Sequence, residues 1–306
     1  MLMGKLVVKD NAFLEAGHKL NEVEQQLVLL AIVKAREFCD SVEQLRGKKL
    51  SIHADDYMQT FNTSKDLAYK NLKKAVFGLY EAEWGYRYKN SKGNIVVHRE
   101  RFTQNAIYVD SEAIVEFVFA DAVIPMLVQL EKDFTSYEIK QVSDLSSRYA
   151  MRIYEMIMRH FDKKKGSGWL ELSLDELKFR LGILPNEYPR MGNFKARVLD
   201  VAITQINERT DLNVTYEQQK QGRNITGFLF KSVRKSVKKD KPFTLTQAQI
   251  NHFAPLLANQ VADVQELAPA GMSMQDFEQW VKNDMSKPER LEFYCQQLPK
   301  VGFAEK

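Results

Sequence analysis

The chain has 306 residues, 44% hydrophobic and 27% charged, as expected for a soluble globular protein of about two domains. Its net charge of +4 and pI near 8.8 fit nucleic-acid binding without requiring it. Two distant cysteines, Cys39 and Cys295, exclude a paired-cysteine zinc site, and no apolar run approaches the roughly 20 residues of a membrane span.

Met1 to Asp10 lacks the apolar core and small-residue cleavage site of a secretory leader. A soluble, cytoplasmic protein with no membrane partner is therefore expected. The first predicted element is an amphipathic helix from Glu22 to Phe38, with Val23, Leu27, Leu30, Ala31 and Ile32 at helical spacing. A basic turn (Arg46, Lys48, Lys49) then leads into a strand at Lys49 to Ile52. A brief helix, Ala54 to Phe61, a turn at Asn62 to Ser64 and a second helix to about Glu81 follow. A hairpin pairs Trp84 to Tyr88 with Ile95 to Arg99, and Ala106 to Val109 is expected to continue its sheet.

Phe117 to Glu131 reads as a strand end and a short helix broken by Pro125, and Phe134 to Lys140 as a strand. Ser143 to Phe161 reads as a long helix with Tyr149, Ile153, Met156, Ile157 and His160 near one face. The charged turn Asp162 to Gly168 has no nucleotide-loop spacing; it reads equally as a solvated tip or a phosphate contact.

About 120 residues after the first, the same order returns. Trp169 to Leu172 is a strand, Leu174 to Leu181 a brief helix, and Pro185 and Pro189 lie in the turn. Asn193 to Glu208 is the second helix, and Leu212 to Tyr216 pairs with Thr226 to Phe230 in a hairpin. Strand, helix, turn, helix, hairpin is the order of a winged helix-turn-helix, whose second helix enters the DNA major groove. The expected fold class is α+β: two tandem winged-helix domains with a small C-terminal helical extension. The expected boundaries are 1–132, 133–239 and 240–306, with a basic cluster (Lys231, Arg234, Lys235, Lys238, Lys239, Lys241) closing the second domain.

In the second unit's helix, Phe194, Val198, Leu199, Val201, Ala202 and Ile206 form a broad apolar face. Opposite stand Asn193, Arg197, Asp200, Thr204 and Asn207. Arg reads guanine and Asn reads adenine bidentately in the major groove, and Asn193 and Arg197 sit in the N-terminal half where such residues belong. Ala196 is short enough to approach a thymine methyl, and Lys195, nearer the apolar side, could reach a phosphate by extending its stem. In the first unit, Thr63 with Asp66 is expected to form the helix cap. Lys70, Lys73 and Lys74 face outward, a phosphate grip rather than a base code, with Phe77 among them. Arg87, Lys89 and Lys92 on the first hairpin, and Lys220 and Arg223 on the second, are wing cations within reach of phosphates, as any exposed turn would also carry.

Several separated motifs, in order, closely resemble the initiator RepB family of iteron-binding plasmid replication initiators. They are Val8 to Ala12 with Leu20 to Leu27, then Tyr149 to Glu155, then Arg190 to Lys195 running on to Ile206 to Thr210; together they span roughly residues 7 to 235. The resemblance implies two winged-helix domains that bind direct repeats in double-stranded plasmid origin DNA as monomers. It also implies opening of adjacent AT-rich DNA, recruitment of the host initiator and replicative helicase, and self-association as a promoter-repressing dimer. Lys195 and Arg197 match two basic positions after the motif's Phe, while Ala196 departs from the pattern. Residues 240 to 306 lie outside the match.

No catalytic role, metal or cofactor is expected. The five histidines (His18, His53, His98, His160, His252) are scattered, without the spaced pair a nicking enzyme needs, and no Gly-rich phosphate loop is present. The rival reading is a winged-helix transcriptional repressor without an initiation role. Several direct repeats of about 20 bp beside AT-rich DNA would favour initiation, and a lone inverted repeat would favour repression.

Overall fold

The computed structural model describes residues 6–38, 41–127, 133–235, 245–287 and 290–303. Cys39, Lys132, Lys238, Lys239 and Lys241 lie outside the described residues, and of the positions expected to flank the domain boundaries only Asp133 is described. The chain divides into two compact units, Met1–Lys235 and Ser236–Lys306. Among the described residues no helix is long and apolar enough to cross a membrane.

In the first repeat, strand Lys49–His53 buries Leu50 and Ile52 and exposes Lys49 and Ser51. Helix Ala54–Phe61 starts where the His53 ring accepts the Asp55 N–H at 3.0 Å, and ends at Asn62, which takes the left-handed backbone asparagine tolerates. The cap of helix Lys65–Glu81 is Ser64, accepting from the Leu67 N–H at 3.4 Å, one residue later than the expected Thr63 box. Ala68, Leu72, Ala75, Val76 and Leu79 are buried, as their spacing predicts.

The sheets depart from the simple repeat. Hairpin Glu83–Lys89 with Ile95–Arg101 takes Gly17–His18 as its third strand. Strand Lys49–His53 instead pairs with Ile114–Val118, whose other neighbour is Ile107–Val109. The segment expected to continue the hairpin sheet therefore belongs to a different one. Pro125 lies at the start of the short 3-10 helix Ile124–Met126 and breaks nothing, since a first-turn proline removes only an N–H without a partner.

The second repeat is more regular. Ser167–Ser173 pairs with Asn224–Arg234 of its own hairpin, whose other strand is Leu212–Gln221. Ser173 caps helix Leu174–Arg180 by accepting the Glu176 N–H at 3.2 Å. Met191–Phe194, Lys195–Asp200 and Val201–Arg209 form one continuous helix, the middle segment wound as a π-helix.

The two repeats share one core. Strand Leu6–Asp10 pairs with Phe134–Glu138, and helix Arg148–Arg159 lies between the halves. That helix begins at Arg148, five residues after the expected start and capped by Ser147, and buries every residue from Tyr149 to Met158. The one-faced stripe read from the sequence is thus too narrow, and His160 sits exposed at the end of the helix. At its centre Glu155 accepts from the Lys9 ammonium at 2.6 Å, the Tyr137 hydroxyl at 2.5 Å and the Arg152 guanidinium at 3.2 Å. Arg152 also donates to the carbonyls of Leu14, Ala16 and Arg180, so its charge closes the ends of two helices.

The unit from Ser236 has its own core. Helices Gln247–Gln260, Ala262–Gln265, Met274–Met285 and Leu291–Gln297 bury Ile250, Leu257, Phe277, Val281 and Tyr294. Thr246 and Gln249 form a complete capping box at its first helix.

Candidate nucleic-acid interface

The second unit's long helix is held from behind. Phe194 packs against Phe228 of the hairpin, ring centroids 6.0 Å apart, and Val198, Leu199, Ala202, Ile203 and Ile206 are buried. Gln205 accepts from the backbone N–H groups of Ser146 and Ser147, both at 3.0 Å, and donates to the Ser146 hydroxyl. Arg209 donates to the Asp144 carbonyl at 2.8 Å. At the C-terminal end, the Lys235 ammonium donates to the carbonyls of Asn207 and Thr210. The sequence reading missed these positioning contacts because they join segments far apart in the chain. Lys235, counted there in a basic cluster, is a helix cap in the structure.

On the outward side, Asn193, Arg197 and Thr204 are exposed, and Lys195 is half-buried beside them. Arg197 lies within the π-helical segment, whose wider turns recur at functional sites. Two residues, Asn207 and Val201, depart from the sequence reading. Asn207 does not face outward: its amide donates to the Val214 carbonyl at 2.9 Å and accepts the Val214 N–H at 2.6 Å, fastening helix to hairpin. Asp200 is exposed, as expected, and accepts from the Tyr216 hydroxyl at 2.6 Å; burial first, and then that contact, pushes the Tyr216 pKa up. Val201, read as core, is 41% exposed, because it lies at the edge of the apolar face and is only partly covered.

In the first unit Lys70, Lys73 and Lys74 are all exposed on helix Lys65–Glu81. The Lys73 ammonium stands 4.8 Å from the Tyr108 ring centre and 3.8 Å from the Asp110 carboxylate. Phe77, among these lysines, is 47% exposed, and Tyr80, three residues on, is exposed too.

The wings differ in what their cations do. Arg87 stacks 4.0 Å over the Phe179 ring and donates to Asp175 at 3.1 Å, so it joins the first hairpin to helix Leu174–Arg180 of the second unit. Lys89 and Lys92 near the first hairpin tip, and Lys220 and Arg223 at the second, are exposed. Gly222, at the second tip, has φ +63°, a conformation that favours glycine and lets the strands turn. In the charged turn after Phe161, Lys163 donates to Ser136 while Asp162 accepts from the Lys164 and Lys165 N–H groups. These contacts account for part of its charge.

Among the described residues no group of three or more His, Cys, Asp or Glu could hold a metal ion. The histidines have structural surroundings. His18 lies between the Phe13 and Phe102 rings, His53 caps a helix, and His98 stacks on Tyr86.

Residues 6–158 match the family model described as initiator replication protein, WH1, and residues 173–232 match that described as initiator Rep protein, WH2. A replication initiation protein of Escherichia coli is 28% identical over 230 residues, covering 74% of this chain and 70% of the relative. The PI protein of Escherichia coli is 26% identical over 249 residues, covering 71% and 81%. The crystal structure of a Pi initiator protein in complex with iteron DNA is 21% identical, with a TM-score of 0.62. It covers 76% of this chain and 98% of that one, so the two share a fold.

Proposed function

The chain belongs to the initiator replication protein family, and from that membership we infer that it starts plasmid replication by binding direct repeats at the origin. The observation that carries the reading is the pair of winged-helix units in one compact body, each exposing cations on its second helix. Arg197 and Asn193 supply base-reading groups, while Lys70, Lys73 and Lys74 supply phosphate contacts. Lys195, Thr204, Lys89, Lys220 and Arg223 are proposed as flanking contacts. Arg87 reaches DNA only by leaving Phe179 and Asp175, so its first role is to join the two units.

The likeness to an initiator solved with iteron DNA supports this mode of binding, as do relatives named for replication initiation. Local opening of AT-rich DNA, recruitment of the host initiator and helicase, self-association and autorepression belong to the same proposal. So do a cytoplasmic location and the absence of chemistry of its own. A plasmid carrying this gene and its flanking DNA, with no other origin, tests the reading. Maintenance lost on a frameshift and restored by supplying the protein in trans supports initiation. Maintenance that ignores the frameshift contradicts it.

A further inference from the structure

Asn193, Arg197, Val201 and Thr204 are all exposed on the second unit's long helix, at spacings of four, four and three residues that keep them on one side of it. Three of the four carry hydrogen-bonding groups. Val201 carries only two methyl groups, 41% exposed, between Arg197 and Thr204 along a stripe otherwise suited to base edges. A β-branched residue is a poor helix former, and here its burial is only partial. In the major groove the one apolar group on display is the 5-methyl of thymine.

We propose that Val201 is a base-reading residue, its side chain meeting a thymine methyl beside the base pair read by Arg197. The inference rests on the reading that this helix enters the major groove. Ala196 is also exposed but lies five residues earlier, more than one turn nearer the helix N-terminus, and so faces a different edge.

The test uses the full chain and one duplex repeat in which each thymine is replaced in turn by uracil, which lacks only the methyl. At one position the wild type should bind the uracil site about fourfold more weakly, the worth of one methyl group removed from water. Val201→Ala should bind both sites alike, at the wild type's level for the uracil site, and Ala196→Gly should keep the wild-type difference. The inference is overturned if no uracil effect depends on Val201, or if Ala196→Gly abolishes it instead. Failure of the wild type to bind the all-thymine repeat overturns the parent reading, and this inference with it.

Discussion

The Lys9 ammonium donates to the Glu155 carboxylate at 2.6 Å, joining residues 146 positions apart in a site almost closed to water. Burial alone would raise the Glu155 carboxyl, but Lys9 and Arg152 outweigh it and hold the pKa below its ordinary value. One carboxylate thus faces two cations and ties the first strand to the helix between the winged units. Glu155→Gln leaves both cations buried without a counter-charge and should cost about 3–5 kcal/mol. Lys9→Met leaves the Arg152–Glu155 pair intact and should cost less, about 1–3 kcal/mol. Urea unfolding of both variants checks the order; equal losses would contradict it.

Acid should weaken the fold through His18. Burial first, then Arg152, Lys9 and Arg148, holds its imidazole pKa well below 6.5. The unfolded chain therefore takes up a proton below about pH 6.5 that the folded chain refuses. Stability is lost as pH falls from there toward the folded value, by at most about 1.4 kcal/mol per pH unit. His18→Phe, seated between two phenylalanine rings, should flatten the change between pH 7 and pH 5. Identical pH slopes in urea unfolding of wild type and variant would remove His18 as the cause.

The short helix Ala54–Phe61 and the buried face of Lys65–Glu81 were legible in the sequence because local spacing and turn chemistry determine them. The pairing of Lys49–His53 with Ile114–Val118 was not, because strand partners across about 65 residues leave no local signature. At the interface, the outward stripe of Asn193, Arg197 and Thr204 follows from the helical period. Asn207 was misread because its place on the wheel does not reveal that a neighbouring strand offers a backbone N–H and carbonyl there. The contacts of Arg87 were hidden for the same reason: this exposed wing cation lies over an aromatic ring on another element.

Arg197 and Asn207 should separate reading from folding. Arg197→Ala should cost about 1–3 kcal/mol of specific binding and relax preference at one base pair. Asn207→Ala should lower stability by about 1–3 kcal/mol, since the Val214 backbone groups lose their partner, and leave base preference unchanged. Selection on randomised sites, alongside urea unfolding, distinguishes the two. An unaltered preference in Arg197→Ala would remove it from the base contacts.

Lys74, exposed on the first unit's helix, should act on phosphate alone. Lys74→Ala should weaken binding similarly on every sequence and lower the log–log salt slope by about 0.9. Titrations over a range of salt concentrations measure it; an unchanged slope would place Lys74 away from DNA.

The central claim is that one chain grips one repeat with both winged units. Two helices enter successive major grooves on one face only when their centres lie about 34 Å apart, so the protected site should span about 20 bp. Because the units differ, the site should be direct and asymmetric, richer in base information at the Asn193/Arg197 end. Footprinting a single repeat at low protein concentration measures this most directly, with and without about 5 bp inserted at its centre, roughly half a turn. Protection of about two turns, and loss of tight binding on insertion, are expected. Protection of only about one turn, or tolerance of the insertion, would contradict it.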